Sequence, residues 1–319
     1  MEGHLGSVER IRARIAALLL PRERPWLLAV SGGVDSMVML DAASAVLCGR
    51  DITVATFDHG TGPSAAAAAE LVQQTAARAR IRCVRGAAPA HEMGHGTEAE
   101  WRRQRWQFLN DAAARARARV VTAHTRDDQI ETVFMRVLRG AGARGLAGLE
   151  ASSPVLRPLL DISRSDILCY AAGRKTTFVT DPSNLDRRHL RNRVRLDLLP
   201  AVEARRPQFG LELLGIARRA ADWRAQIEAI ALTFPMMTDH AGTHSFARRS
   251  LRDYPHTSLQ VLWPPLAARA GIIMDRRGTE RLAKFTIEGE TGQAVQLAGG
   301  VEVTMSREAI NLRRRARCG

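Results

Sequence analysis

The segment Ser31-Gly32-Gly33-Val34-Asp35-Ser36 combines glycines, hydroxyls and one carboxylate at a spacing that suits phosphate binding. The apolar run 26–30 precedes it and a helical pattern, 35–47, follows it. The glycines let the backbone turn tightly beside an anion, and the first amides of the helix point toward phosphates. Bare phosphate would repel Asp35, so its expected role is to hold Mg²⁺ against phosphate oxygens. The alternative is an incidental glycine turn.

A second cluster follows the apolar run 120–123 and places an imidazole close to three carboxylates. The segment reads His124-Thr125-Arg126-Asp127-Asp128-Gln129-Ile130-Glu131-Thr132. On a helix that opens at His124, these groups gather within about one turn. Helix capping explains one or two acids at a helix start, but it explains three beside a histidine poorly. The cluster therefore predicts a functional site.

The elements that position these two clusters alternate between strands and helices. Apolar runs predict strands at 26–30, 52–57, 81–84 and 120–123, and helical patterns occupy 7–20, 35–47, 64–79, 97–117 and the segment from His124. This alternation predicts an α/β fold, a Rossmann-like parallel sheet covered on both faces. Beyond it lie a helix at 163–173, a loop at 181–195 entering an arginine-rich helix, a helix at 209–231 and strand-like pieces at 289–312. We therefore expect a catalytic domain over 1–205 and a smaller, mainly helical α+β domain over 206–319.

The charge balance points to a polyanionic partner. The 319 residues carry a net charge of +14, and arginine supplies all the cations except Lys175 and Lys284. Arginine grips phosphate bidentately, so nucleic acid is the leading partner, although genomic base composition also enriches arginine. The four cysteines form no C-x-x-C pair and suit a reducing cytosol. No apolar window approaches ~20 residues and the amino terminus does not read as a signal peptide, so we expect a cytoplasmic protein without a membrane partner.

Together the motifs resemble those of a known family. The SGGxDS segment resembles the PP-loop of the N-type ATP pyrophosphatases, and H-x-x-D-D-x-x-E-T after it resembles the tRNA(Ile)-lysidine synthetase family. Further matches are Arg157-Pro158-Leu159-Leu160, Ser163-Arg164, Asp181-Pro182-Ser183-Asn184, Arg191-Asn192-Arg193-Val194-Arg195 and Gln296-Leu297-Ala298-Gly299-Gly300-Val301, where Ala298 replaces the usual proline.

The resemblance implies a reaction. ATP adenylates O2 of the wobble cytidine of a CAU-anticodon isoleucine tRNA, and the ε-amine of free lysine then attacks C2 and expels AMP. This implies ATP and Mg²⁺ as cofactors, with tRNA(Ile) and lysine as partners, and the family suggests a homodimer. Asp128 and Glu131 are the expected lysine-binding residues, and Asp127 assists metal or base chemistry. The implied catalytic set is Asp35, Arg105, Asp127, Asp128 and Glu131.

Two segments depart from the family pattern near the expected nucleotide site. Trp101-Arg102-Arg103-Gln104-Arg105-Trp106 keeps both arginines of A-R-x-x-R-Y, and Arg105 is the expected substrate or α-phosphate contact. The alternative is a solvated arginine face. After Phe57 and Asp58 the family's H-G-L-R is altered, but Phe57 still ends a strand near the expected adenine pocket. The expected ATP-binding residues are Ser31, Gly32, Gly33, Val34, Asp35, Ser36 and Phe57.

A basic segment is the predicted tRNA contact. Arg187, Arg188, Arg191 and Arg195 would share a broad helical face running along a phosphate backbone. Arg313-Arg314-Arg315-Ala316-Arg317 is another basic cluster, although terminal tails are often simply solvated.

Three other functions share some of these features. A PP-loop tRNA thiolase commonly needs a C-x-x-C pair or a catalytic cysteine, and no cysteine lies in the motifs above. A GMP synthetase needs an ammonia source. A tRNA-binding protein with a vestigial nucleotide site would not need Asp35, Asp127, Asp128 and Glu131. The lysidine hypothesis requires the SGG turn and the His124 segment to share one cleft.

Overall fold

A computed structural model describes residues 2–20, 25–47, 52–60, 62–88 and 98–314. The chain divides into two compact units, 1–221 and 222–319. The domain boundary near residue 205 stays a prediction. Cys48, Cys318, Thr97 and Arg315-Ala316-Arg317 lie outside the described residues. Within those residues, Cys83 and Cys169 form no disulfide bond.

The first unit is built on a parallel sheet. Its strands are β1 Trp26–Ala29, β2 Ile52–Asp58, β3 Arg82–Ala87 and β4 Arg119–Thr122, in the order β3-β2-β1-β4. The central strand β1 pairs in parallel with β2 and β4, so that Leu28 is opposite both Val54 and Val121. The predicted Rossmann-like sheet is confirmed. Because the strand order reverses between β1 and β4, a crevice opens at the carboxyl ends of these two strands, where ligands of such sheets bind.

Helices of the first unit cover both faces of this sheet. They are α1 Glu2–Leu19, α2 Val34–Leu47, α3 Pro63–Arg78, α4 Glu98–Ala116, α5 Arg126–Leu138, α6 Ala143–Leu146, α7 Arg164–Arg174, α8 Leu190–Arg193 and α9 Leu199–Glu203. Alternation along β1 explains the two layers: Leu28 packs into the core formed with α1, α2 and α7, and Leu27 packs into the core formed with α4.

The arginine-rich segment differs from its prediction. The helix begins only at Leu190, and a π-helical turn, Val194–Leu198, separates α8 from α9. Arg187 and Arg188 precede the helix, so the expected single helical face of four arginines is wrong. The cause is Asp186, which accepts hydrogen bonds from the Arg188 amide and side chain and holds this stretch as a turn.

A long helix, α10 Phe209–Leu232, leads into the second unit. That unit contains β5 Met236–Thr238, β6 His244–Ala247, α11 His256–Arg269, α12 Arg276–Glu288, β7 Ala294–Leu297, β8 Val301–Met305 and β9 Ala309–Arg314. The strands form an antiparallel sheet in the order β5-β6-β9-β8-β7. Trp263 is fully buried in its core and donates a hydrogen bond to Thr286 Oγ1 at 2.8 Å. The predicted α+β second domain is confirmed, although β5 and β6 carried no sequence signal strong enough to predict them. In the described ranges, every helix is too short or too polar to cross a membrane.

Candidate active site

The phosphate loop lies between β1 and α2, as the sequence predicts. Gly32 adopts φ +87°, and a Cβ at this position would lie 2.7 Å from the Cβ of Ala68. Ser36 Oγ accepts a hydrogen bond from the Ser31 amide at 3.1 Å and donates one to the Gly33 carbonyl at 2.9 Å. These contacts hold the loop in a tight turn, and the first amides of α2 have no partner within the helix. The turn therefore offers an anion several backbone donors.

A cavity of about 450 Å³ opens over this loop at the carboxyl ends of the strands. Its lining includes Ser31, Gly33, Asp35 and Ser36 from the phosphate loop, Phe57 and His59 after β2, Arg105 and Trp106 from α4, and Thr122 and His124 after β4. The SGG turn and the His124 segment therefore share one cleft, as the hypothesis required. Gly32 and Val34 do not line the cavity; Gly32 packs on α3 and Val34 is buried beneath the loop.

Asp35 lies at the start of α2 and is held by Arg164, the first residue of α7. The Arg164 Nη1 atom lies 2.8 Å and 3.0 Å from the two carboxylate oxygens. Burial raises the pKa of Asp35; the charge of Arg164 opposes this shift and the carboxylate of Asp128 adds to it. The backbone amide of Arg164 also donates to Asp127 Oδ2 at 2.8 Å, so this one residue links the phosphate loop to the acidic cluster. Sequence reasoning matched Arg164 to a motif but gave it no role.

The acidic helix α5 begins at Arg126, so His124 lies outside it and the predicted opening at His124 is wrong. Thr125 is the N-cap, and Asp128 completes a capping box by accepting from the Thr125 amide at 2.8 Å. The Nδ1 atom of His124 lies 2.8 Å from Thr122 Oγ1. Burial lowers the pKa of His124 to about 4, and nearby arginines add to the shift while Asp128 opposes it. The imidazole is therefore neutral at pH 7.

Two arginines of the basic segment bind the predicted lysine-binding carboxylates. Arg191 donates to Asp128 Oδ1 and to Glu131 Oε2, each at 2.7 Å. Arg195 donates to Glu131 Oε1 at 2.5 Å. The Glu131 side chain is only 3% exposed, so these two arginines are the partners of a buried carboxylate. Neither Asp128 nor Glu131 lines the cavity, although both belong to α5, the helix that follows His124.

The other two predicted tRNA contacts are on the surface. Arg187 pairs with Asp197 at 3.1 Å and Arg188 pairs with Asp186 at 2.7 Å. The hydrogen bonds from Arg188 lower the pKa of Asp186 to about 2. The Arg188 side chain is 89% exposed, so it is available to a large ligand. The four arginines thus divide into two that face solvent and two that neutralise buried acids.

Aromatic rings extend from the cavity along α4. Phe57 lies 4.9 Å from His59 and 5.5 Å from Phe108, measured between ring centroids, and His59 lies 6.4 Å from Trp101. Gly86 on β3 makes room for Phe108, because a Cβ there would lie 2.6 Å from the ring. Burial and the charge of Arg105 lower the pKa of His59. His59 and Trp106 line the cavity but were not among the expected site residues; their only signal was their place beside Phe57 and Arg105.

The segment that closes the other side of the cavity comes from residues 179–184. The Val179 amide donates to the Gly32 carbonyl at 2.9 Å, and Asp181 and Asn184 line the cavity. These residues match the D-P-S-N motif, which the sequence singled out without giving it a role. The motif therefore contributes a wall of the cavity over the phosphate loop.

Comparison with known proteins agrees with this geometry. The PP-loop domain family matches residues 8–202. A tRNA(Ile)-lysidine synthase from Mycobacterium leprae is 33% identical over 270 residues, which cover 79% of this chain and 78% of that protein. The chain belongs to the tRNA(Ile)-lysidine synthase family.

Matches to other members of the tRNA(Ile)-lysidine synthase family cover a smaller part of each protein. The protein from Salinispora arenicola is 38% identical over 204 residues, and that from Rhodopseudomonas palustris is 39% identical over 226 residues. The chain spans 61% of the length of the first protein and 62% of the length of the second. These matches cover 60% and 67% of this chain, respectively. Among solved structures, the U34-tRNA thiolase NcsA from Methanococcus maripaludis, which has a [4Fe-4S] cluster, aligns with a TM-score of 0.55 at 15% identity. The alignment covers 67% of this chain and 80% of the thiolase. At 15% identity, this similarity shows only that the two proteins share a fold.

Proposed function

We propose that the chain ligates lysine to C2 of the wobble cytidine of a CAU-anticodon tRNA(Ile) in the cytoplasm, which changes decoding from AUG to AUA. Cytidine O2 bonds to the α-phosphorus of ATP and pyrophosphate leaves. The lysine ε-amine then loses a proton and bonds to C2, the C2–O2 bond breaks, and AMP leaves. The observation that carries the proposal is Arg164, which joins Asp35 of the phosphate loop to Asp127 of the acidic helix.

The nucleotide occupies the cavity over the phosphate loop in this proposal. Its phosphates lie against Gly33, Ser31 and Ser36, and its base lies toward Phe57, where Ala55 and Leu109 supply apolar contacts. Arg105 lines the same cavity and is placed to stabilise charge that develops on the α-phosphate. The phosphate loop thus orients ATP, and Arg105 acts on the atom that reacts.

The side chain of Asp35 fits a metal that arrives with the nucleotide. No group of three metal-ligating side chains occurs in the ranges described, and Mg²⁺ on nucleotides typically needs only one or two carboxylates besides phosphate oxygens. Asp35 lies beside the phosphate loop and lines the cavity. When bound there, Mg²⁺ would neutralise phosphate charge. Arg164 must leave Asp35 for this to happen, and its guanidinium then faces the same phosphates.

Lysine binding at Asp128 and Glu131 requires that an ammonium group replace a guanidinium group. Arg191 and Arg195 occupy the oxygens that the substrate amine would use. Both arginines are also predicted tRNA contacts, and phosphate competes well with carboxylate for guanidinium. The proposal therefore has tRNA draw these arginines away, after which the carboxylates of Asp128 and Glu131 are free of their arginine partners and receive lysine. Arg187 and Arg188 contact the RNA backbone from the surface, and homodimer formation stays a prediction.

A lysine-dependent AMP release assay on in vitro transcribed CAU-anticodon tRNA(Ile) tests the proposal. The wild-type chain should release AMP only when tRNA, ATP and lysine are all present. Asp35→Ala should abolish release, whereas Asp111→Ala, a matched change of an exposed aspartate on α4, should not. Release without lysine would contradict the proposal, and release that depends on a sulfur donor would favour the thiolase. Glu131→Ala should raise the lysine concentration required while leaving adenylation largely intact.

A further inference from the structure

We propose that a second cavity, beside the edge strand β4, binds a phosphate group of the RNA backbone. The choice of RNA as its source rests on the proposed function. The cavity has a volume of about 510 Å³ and shares no lining residue with the nucleotide cavity. Four arginines line the cavity: Arg14 on α1, Arg119 on β4, Arg218 on α10, and Arg157, which lies outside the helices and strands. The lining also contains two acids, Glu150 and Asp161.

Carboxylates neutralise only part of this positive charge. Asp161 pairs with Arg14 at 2.6 Å. Arg119 donates to the carbonyl oxygens of Pro154 and Ser153, and Arg157 donates to the carbonyls of Leu149 and Val155. These neutral oxygens fix the positions of the guanidinium groups without cancelling their charge. The lining therefore carries a net positive charge, since it contains four arginines and two acids.

Two hydrogen-bond donors in this cavity have no acceptor. The Nε atoms of Arg14 and Arg157 are buried and make no hydrogen bond within the described ranges. A buried donor without a partner is destabilising, and a ligand with several acceptor oxygens would relieve that penalty. Burial and the nearby Arg102 lower the pKa of Arg157, so a bound anion would also relieve the repulsion between these cations.

The lining chemistry selects a phosphate group rather than a nucleobase. Guanidinium groups bind phosphate oxygens in pairs, and the described lining contains no aromatic ring on which a base could stack. Ser152 and Arg218 at the rim are exposed, so a polymer can reach the site from solvent. Contacts of this kind give affinity and register without reading sequence. We assign the cavity to one backbone phosphate of the tRNA whose anticodon enters the nucleotide cleft.

The test compares two neighbouring arginines on α10. Arg218 lines the cavity, whereas Arg219 is also exposed but is not part of the lining. We expect Arg218→Glu to weaken tRNA binding and to reduce the slope of log K against log salt by about 0.9, the loss of one phosphate contact. Arg219→Glu should keep the wild-type slope, and ATP binding should be equal in all three proteins. An unchanged slope in Arg218→Glu, or equal losses in both variants, would overturn the assignment.

A measurement with inorganic phosphate distinguishes a free phosphate ion from a phosphate group of the RNA backbone as the ligand of this cavity. If millimolar phosphate raises the unfolding temperature of the wild type but not of Arg218→Glu, while tRNA binding is the same in both, the site serves a free anion and the RNA assignment is wrong. Failure of this phosphate site can be told apart from failure of the proposed lysine ligation. A wild-type chain that binds tRNA with an Arg218-dependent slope supports this site even if no lysine is ligated, and a wild-type chain that binds no tRNA removes both proposals.

Discussion

One nitrogen of Arg164 contacts both carboxylate oxygens of Asp35, although the two residues are 129 positions apart in the chain. The contact joins the first turn of α7 to the first turn of α2 at the edge of the nucleotide cavity. Because the same carboxylate is the expected metal ligand, the arginine and the metal compete for it. Burial raises the pKa of Asp35, and Arg164 opposes this shift.

Replacing Arg164 should shift the pH dependence of nucleotide binding. Burial and Asp128 raise the pKa of Asp35, and Arg164 opposes them. In Arg164→Ala that opposition is gone, so the pKa rises further and Asp35 becomes protonated at a higher pH. Binding of MgATP needs the ionised carboxylate, so its loss on acidification should begin at a higher pH than in the wild type. Fluorescence titration with labelled ATP across pH 4 to 8 measures the midpoint, and equal midpoints would contradict this role.

Removing Arg195 should destabilise the fold. Its guanidinium donates to Glu131, which is 3% exposed, and stripping one partner from a buried ion pair costs about 3–5 kcal/mol. Arg191 stays on the same carboxylate in Arg195→Ala, so we expect a smaller loss, about 2–3 kcal/mol in the free energy of unfolding. Urea denaturation measures it. Arg193→Ala is the control, because Arg193 is exposed on the same segment, and a loss as large there would refute the assignment.

Lysine should bind only after tRNA. Arg191 and Arg195 occupy the carboxylate oxygens of Asp128 and Glu131, so equilibrium dialysis with labelled lysine should detect little binding to the wild type until tRNA is added. Arg191→Ala leaves Asp128 Oδ1 without its closest cation and should bind lysine without tRNA. If the wild type binds lysine equally well in both conditions, the competition between phosphate and carboxylate does not occur.

Local patterns predicted the sheet, the phosphate loop and the shared cleft, because strand periodicity and the glycine turn depend only on residues that are close together in the sequence. The ion pairs of the site could not be predicted in this way. Arg164 reaches Asp35 and Arg191 reaches Glu131 only through tertiary packing, and no spacing rule links positions 129 or 60 apart. The helix start was misplaced by two residues because Thr125 is a better N-cap than His124. Asp128 belongs both to the helix cap and to the acidic cluster, because it accepts hydrogen bonds from the Thr125 amide and from Arg191.

Gly32 should tolerate no side chain. Its φ of +87° is strained for any other residue by roughly 1–2 kcal/mol, and an added Cβ would lie 2.7 Å from Ala68. Gly32→Ala should therefore lower the unfolding temperature and abolish ATP binding. Gly33→Ala is the matched control, because a Cβ there meets only Ser31 Oγ at 3.7 Å. It should keep wild-type stability, and equal destabilisation of both variants would contradict the argument.

His124 should make the protein less stable in mild acid. The folded-state pKa is lowered to about 4, whereas the unfolded imidazole keeps its ordinary value near 6.5. Between these values the unfolded chain binds more protons, so the free energy of unfolding falls as pH drops from 6.5 to 4 and is fully restored above 6.5. At about 1.4 kcal/mol for each pKa unit, the contribution is roughly 3 kcal/mol.

Urea denaturation at a series of pH values measures how the free energy of unfolding changes with pH. In His124→Asn, the number of protons taken up on unfolding between pH 4 and 6.5 should be smaller by about one than in the wild type. Thr122→Val, which removes the hydrogen-bond partner but keeps the buried imidazole, should retain the dependence, and identical profiles for the wild type and His124→Asn would show that the imidazole titrates normally in the fold.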